Sequence, residues 1–320
     1  MAGMNVFEVL GPGLLTTVKD LGRGGFARYG VAPSGGSDSF SLRVANLLVG
    51  NEESAAVLET LAMGLRLKAL SDVRIAVTGG NLTPRRGAEA LPMWASLVIR
   101  AGEVVAFTGP AGGFRSYIAV AGGIDVPRIM GSRSTNLSSG FGGFEGRALR
   151  KGDVLGRGVT PGAVRSAERV FPAEWVPHYP SRWRLRVIWG PQEEQFSEES
   201  RQAFLSGTYG VSPDSDRTGI RLKGPLLTVN AGLPESIVSE GVVAGAIQVP
   251  GDGQPIILLG ETVSGGYRKI ATVIAADLPL LGQIMPGEEV GFAAVSHAEA
   301  VRALAEIEGR IRSFALSGPA

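Results

Sequence analysis

Short apolar or alternating runs recur along this chain: Val6–Leu10, Leu14–Val18, Val73–Thr78, Val104–Phe107, Tyr117–Val120, Leu185–Trp189, Ile237–Val238, Ile247–Val249, Ile256–Leu259 and Glu289–Ala293. Most are bounded by Gly, Pro, Asn or Asp, which end strands and open turns, so the runs predict β-strands. Helical periodicity is rarer. Ser37 and Asp38 precede Phe40, Val44, Leu47 and Leu48, with Gly50 as a stop; this predicts a capped helix. Ser197 to Leu205 predicts a second. Ser296 and Glu299 form a capping box ahead of Val301, Leu304, Ile307 and Ile311, which predicts a C-terminal helix packed on the second half.

The pattern lapses between Gly158 and Ser181, where Pro161, Pro172, Pro177 and Pro180 fall among mixed polar residues. A linker is expected over 161–181, with one β domain over 1–160 and another over 182–320. An internal echo agrees with two similar halves. Gly64-Leu-Arg-Leu-Lys68 returns as Gly219-Ile-Arg-Leu-Lys223, and Gly102-Glu-Val-Val-Ala-Phe107 returns as Gly287-Glu-Glu-Val-Gly-Phe292, in the same order. The 47 glycines follow no collagen-like period and imply many tight turns. The fold class expected is mainly β, of barrel or sandwich type, with few short helices.

Composition narrows the function. The 320 residues are 44% hydrophobic and 19% charged, enough to build sizeable cores. Lys and Arg number 31 against 30 Asp and Glu, a net charge of +1. That balance gives no electrostatic case for nucleic acid or an anionic membrane. Cysteine is absent, which excludes disulfides, thiolate metal sites and cysteine nucleophiles. Two histidines, His178 and His297, cannot build a histidine-rich metal centre. Ile270 to Ile284 is broken by Asp277 and Pro279, too short and polar to span a bilayer. Met1 to Leu10 lacks the pattern of a signal peptide, so the cytoplasm is the expected location.

No G-x-x-x-x-G-K-[ST] loop, G-x-S-x-G elbow or Met-Lys-Met biotin attachment site is present. The unusual segments are polar and rich in glycine. They are Thr17–Arg23, Gly30–Asp38 with Ala45-Asn46 and Leu58–Thr60, Ser212–Gly219, Ser239–Pro250, and Val263–Ile270 with Ala276-Asp277 and Gln283. Each sets a carboxylate, amide or base beside glycines, where backbone N–H groups approach a ligand closely. A small amide, lactam or carboxylate suits such surroundings: its carbonyl needs donors and its N–H an acceptor. Structural roles compete at every position. Asp38 reads equally as a helix cap, Glu59 as a buried hydrogen-bonded glutamate, Asp214, Asp216 and Arg217 as a turn with a surface ion pair, and Lys269 as a solvated lysine.

In this order, the segments resemble the biotin-dependent carboxyltransferase-like family. That family includes the C-subunit of bacterial 5-oxoprolinase, KipA, allophanate hydrolase subunit 2 and the carboxyltransferase domain of urea carboxylase. The motifs that carry the resemblance are Thr17–Arg23, Pro33–Asp38, Ala45–Asn51, Tyr117–Asp125, Gly131–Thr135, Ser239–Pro250 and Gly265–Ile270. The resemblance implies two cyclophilin-like β-barrel domains and a cleft between the halves. It implies a B-subunit or KipI-like partner, joined by an A-subunit in a complete 5-oxoprolinase, where ATP hydrolysis drives the opening of 5-oxoproline to glutamate. The carboxyltransferase alternative moves a carboxyl group from carboxybiotin, held on another chain, to urea or a similar amide. A KipA-like regulator that binds a kinase inhibitor is the non-catalytic alternative.

The expected catalytic residues are Glu240, Lys269 and Asp38. The expected substrate-binding residues are Ser34, Asn46, Glu59, Arg217, Gln248, Gly265, Gly266, Tyr267 and Gln283, with no metal. Glu240 or Asp38 would orient the substrate N–H or act as base, and Lys269 would polarise the carbonyl. Several positions depart from the family pattern. Lys19 stands for the usual Gln, Gly36-Ser37 for Ala-Met or Ala-Leu, Leu65 for Pro, Leu259–Ser264 for an Ala-Asp-x-Gln-Thr-Thr stretch, and Arg268 for Pro. The last two flank the expected substrate wall and leave the substrate open.

Overall fold

Strand alternation is plainest in Arg182–Trp189, where Trp183, Leu185 and Val187 point inward and the residues between them face outward. A computed structural model describes residues 4–159 and 168–317, and the chain divides into two units. Unit 1 holds the described residues of Met1–Gly24, Ser34–Tyr179 and Gly309–Ala320; unit 2 holds Gly25–Pro33 and Pro180–Glu308.

Unit 1 carries strands β1 (Met4–Pro12), β2 (Leu15–Lys19), β3 (Val57–Leu61), β4 (Leu65–Ala69), β5 (Val73–Asn81), β6 (Pro84–Arg86), β7 (Glu89–Ala90), β8 (Ser96–Ile99), β9 (Val104–Phe107), β10 (Gly112–Val120) and β11 (Val154–Arg157). They form a six-stranded sheet, β11-β1-β4-β9-β6-β7, and a five-stranded sheet, β2-β3-β10-β5-β8. Val6, Phe7, Leu67 and Phe107 of the first sheet share one core with Leu58, Ile75, Ile118 and Val120 of the second. Helix α1 (Ser39–Leu48) packs on β5 and β10 and is capped by Asp38, as its sequence predicts.

Unit 2 is built on β12 (Arg182–Trp189), β13 (Tyr209–Val211), β14 (Gly219–Lys223), β15 (Glu240–Gly241), β16 (Ala246–Val249), β17 (Ile256–Leu258), β18 (Ser264–Gly265), β19 (Arg268–Val273) and β20 (Glu289–Ala294). Seven of them close a barrel in the order β12-β19-β16-β17-β14-β13-β20, and β15 pairs with β18 alone. Closure leaves no open edge on the barrel. Helix α2 (Glu198–Ser206), capped by Ser197, brings Phe204 onto Phe292 with ring centroids 4.4 Å apart. A short α3 (Leu278–Leu281) and the twenty-residue α4 (His297–Leu316) complete the helices of the described residues. No helix among them is long and apolar enough to cross a membrane.

The fold is mainly β, as the pattern predicts, and differs from the expected elements in detail. Ile237–Val238 is not a strand: no ladder partner lies alongside it, and Val238 is exposed. The expected α4 stripe holds in its second half, where Ile307 packs on the core and Ile311 is buried, but Val301 and Leu304 face outward while Ala303 and Phe314 are buried. The capping box forms, but the residues from Gly309 onward group with unit 1, where Phe314 meets Phe171 edge-on. Of the expected linker, 161–167, with Pro161, lies outside the described residues. Residues 168–179 group with unit 1, Val170 bridging Ala95 and Phe171 sitting among Phe40, Trp94, Trp175 and Phe314.

The sequence echo becomes a repeated turn. Gly102 and Gly287 take φ of +88° and +87°, a region that favours glycine. The glutamate after each accepts a backbone N–H three residues back, Glu103 from Arg100 at 2.7 Å and Glu288 from Met285 at 2.8 Å. The strands then pair differently: β4 joins β9 directly, whereas β13 lies between β14 and β20.

Candidate functional site

In unit 1 the polar residues of Ser34–Asp38 fold against β3 and β10. Register pairs Glu59 with Tyr117 across those strands, and the Tyr117 hydroxyl donates to Glu59 Oε2 at 2.7 Å. The same oxygen accepts Ser37 N–H at 2.8 Å, and Asp38 N–H donates to the Tyr117 oxygen at 2.7 Å. Burial, then the negative charges of Glu59 and Asp38, push the Tyr117 phenol well above its ordinary value, so it stays protonated as a donor. Asp38 Oδ1 accepts Ser41 N–H at 2.9 Å, while Oδ2 accepts the hydroxyls of Ser41 at 2.6 Å and Tyr179 at 3.4 Å. Asn46 faces a different set. Its amide donates to the carbonyls of Glu53 and Ala55, and its carbonyl accepts from Asn51.

The loop ahead of Asp38 is tied from below. The ammonium of Lys19, fully buried, donates to the Ser34 carbonyl at 3.0 Å and the Thr135 carbonyl at 2.7 Å. Ser34 itself takes φ of 54°. Next along the chain, Asp20 gathers the hydroxyls of Ser132 and Ser134 and the N–H groups of Arg133 and Gly22. Burial alone would raise the Asp20 carboxyl; these hydrogen bonds outweigh it and hold the group below its usual 3.8. The motif Gly131–Thr135 therefore serves as the floor of the Thr17–Arg23 loop.

In unit 2 the Lys269 ammonium makes an ion pair with Glu240 Oε1. The two residues lie 29 apart in sequence and meet because β15 and β18 pair, setting Glu240 opposite Gly265 just before β19 begins. The Lys269 side chain is 7% exposed and that of Glu240 is 44% exposed. Hydrogen bonds from Lys269 and then Gln192 hold the Glu240 carboxyl below the ordinary glutamate value, so it is an ionised acceptor at neutral pH. Gln248 stands opposite Lys269 in the β16–β19 register, and its amide reaches the Tyr267 carbonyl at 3.4 Å. A Cβ on Gly265 would collide with that amide, so glycine lets Gln248 lie against β18. The Gly266 carbonyl accepts from Ile237 N–H, and the Tyr267 side chain is half-exposed.

The structure thus gathers Glu240, Lys269, Gln248, Gly265, Gly266 and Tyr267 around one ion pair in unit 2. It gathers Asp38, Glu59 and the Ser34 loop around Tyr117 in unit 1. Arg217 pairs with Glu261 at 3.3 Å, a partner from the stretch that departs from the family pattern. Gln283 is fully buried just beyond α3. Sequence reasoning misses Tyr117, Tyr179, Lys19 and Gln192 as members of these clusters. Tyr117 has a signal of a kind, being part of a family motif, but its partner is fixed by strand register. Gln192 carries no local signal at all. Among the described residues no group of three or more His, Asp or Glu side chains could hold a metal ion.

Comparison with known proteins gives this arrangement a context. Residues 29–294 match the model of the carboxyltransferase domain, subdomain A and B. The chain is 38% identical over 299 residues to the C-subunit of 5-oxoprolinase from Escherichia coli (strain K12), covering 93% of this chain and 94% of that one. It is 32% identical over 287 residues to the C-subunit of 5-oxoprolinase from Haemophilus influenzae, covering 89% and 90%. The crystal structure of Kluyveromyces lactis urea carboxylase superposes on 100% of this chain with a TM-score of 0.92 at 31% identity. The chain spans only 30% of the length of that structure.

Proposed function

The chain belongs to the family of the carboxyltransferase domain, subdomain A and B, and from that membership we propose that it is the C-type component of an ATP-dependent 5-oxoprolinase. The observation that carries this reading is the similarity to two C-subunits of 5-oxoprolinase, 38% and 32% identical over 299 and 287 residues. In this proposal the chain works in the cytoplasm with A-type and B-type partners, and 5-oxoproline or a related small lactam is opened to the amino acid.

The unit 2 pair has the chemistry for such a substrate. Glu240 is an ionised carboxylate and accepts the lactam N–H. Lys269 faces the carbonyl oxygen, where negative charge develops as water adds. In unit 1, Asp38 and Glu59 hold the loop of Ser34 through α1 and Tyr117, and Asn46 braces α1 from within. Gln248, Gly265, Gly266 and Tyr267 shape the wall, with Arg217 and Gln283 further support for unit 2. Lys269 is matched by Glu240 and Arg217 by Glu261, a poor fit to a polyphosphate. The proposal places ATP away from these two pairs, elsewhere in the complex.

A second reading is favoured by the TM-score of 0.92 to urea carboxylase: transfer of a carboxyl group from carboxybiotin on a separate carrier chain to a small amide. One experiment decides between them. ATP-dependent release of glutamate from 5-oxoproline is measured with this chain and its A-type and B-type partners, each omitted in turn. Release that requires this chain supports the proposal. Release indifferent to it, with biotin-dependent carboxylation of urea in its place, supports the second reading.

A further inference from the structure

The geometry points to Gln192 as a positioning residue that divides the Glu240 carboxylate, engaging Oε1 and leaving Oε2 as the acceptor for substrate. Gln192 lies in the turn after β12, and that turn is fastened to three consecutive residues of β19. Gly190 N–H donates to the Ile270 carbonyl at 2.8 Å, Gln192 Oε1 accepts Lys269 N–H at 3.1 Å, and Gln195 Oε1 accepts Arg268 Nε at 2.7 Å. Arg268, 2% exposed, also donates to the Pro234 carbonyl at 2.6 Å, which draws the segment leading to Glu240 onto the same frame. The side chain of Gln192 is therefore held at its acceptor end by the strand that carries Lys269.

Its donor end does something a purely structural glutamine has no need to do. Nε2 donates to Glu240 Oε1 at 2.9 Å, the same oxygen that meets the Lys269 ammonium. Two donors on one oxygen fix the rotation of the carboxylate. Oε2 keeps its lone pairs, with no hydrogen bond from any described residue. Because β15 is a two-residue strand on a two-stranded ribbon, its own ladder cannot hold this side chain still. Lys269 is the charged group facing Glu240; neutral Gln192 and Gly265 complete its surroundings among the described residues.

This inference rests on the proposed function only for its catalytic consequence, and the test separates the two. Gln192→Glu keeps an acceptor for Lys269 N–H but replaces the donor to Glu240 with a second carboxylate; Gln192→Met removes both arms. The Glu240 carboxyl is titrated by carbon-detected NMR in the isolated full-length chain, where no substrate is needed. Its titration is expected below that of an ordinary glutamate in the wild type and higher in both variants. In the assembled enzyme, kcat for 5-oxoproline is expected to fall about tenfold in Gln192→Glu, with the melting midpoint kept, as for loss of one charge-assisted hydrogen bond. A Glu240 titration unmoved in both variants, or a Gln192→Glu enzyme with wild-type kcat, overturns the inference. If the wild-type assembly opens no 5-oxoproline, the proposed function falls, and the titration alone upholds or overturns the positioning of Glu240.

Discussion

In unit 1, Asp38 and Glu59 are 1% and 4% exposed, and both oxygens of Asp38 already accept hydrogen bonds, from Ser41 of α1 and from the Tyr179 hydroxyl. In unit 2, Glu240 has a side chain 44% exposed and one oxygen without a donor among the described residues. The residue types are alike; what differs is remaining hydrogen-bonding capacity. A carboxylate surrounded by its own fold holds that fold in place, and removing it exposes buried donors to no partner. A carboxylate with an open lone pair beside a lysine is available to a ligand. Substitutions in the two clusters should therefore separate, unit 1 losing stability and unit 2 losing turnover.

The largest expected stability loss is from Glu59→Ala, which leaves the buried Tyr117 hydroxyl and Ser37 N–H without their acceptor. Urea denaturation should report a loss of about 2–4 kcal/mol. Next is Asp20→Asn, which puts an amide donor where four donors converge. A loss of about 1–2 kcal/mol is expected at pH 7. The sign with pH follows from the lowered Asp20 carboxyl. Its contribution is full above the unfolded value of 3.8 and fades as pH falls through the lower folded value. Denaturation curves of the two proteins should thus converge as pH drops below 3.8, and a constant gap would contradict the account. The smallest effect is from Tyr209→Phe. The Tyr209 hydroxyl is buried without a hydrogen-bond partner among the described residues, and burial pushes it up to about 12. Its removal should be neutral or raise stability by up to about 1 kcal/mol, and a clear loss of stability would reveal a partner.

Local signals are legible where the cause is local. The Asp38 cap, the Ser197 cap, the Ser296–Glu299 box and the glycine turns before β9 and β20 are all set within a few residues. The Lys269–Glu240 pair is foreshadowed by glycines on both sides, which mark close backbone approach. Partners chosen by strand register are not legible. Glu59 stands in Val57–Leu61, buried on both faces, and only the β3–β10 pairing reveals that its partner is Tyr117. Gln192 is invisible for the same reason, since its role depends on a turn fastened to β19. The α4 face departs from its periodicity because Ala303 and Phe314 outweigh Val301 and Leu304 once Phe171 and Ile274 supply the surfaces they meet.

The measurement that bears most directly on the account is 5-oxoproline turnover per folded molecule for Lys269→Ala and Asp38→Ala, each assembled with its partner proteins and each melted in parallel. Lys269→Ala should lose at least about 100-fold in turnover with the midpoint kept. Asp38→Ala should lose about 1 kcal/mol of stability as a missing helix cap and keep turnover near the wild type. An active Lys269→Ala enzyme, or an Asp38→Ala enzyme that is inactive at full stability, would contradict the division of roles between the two clusters.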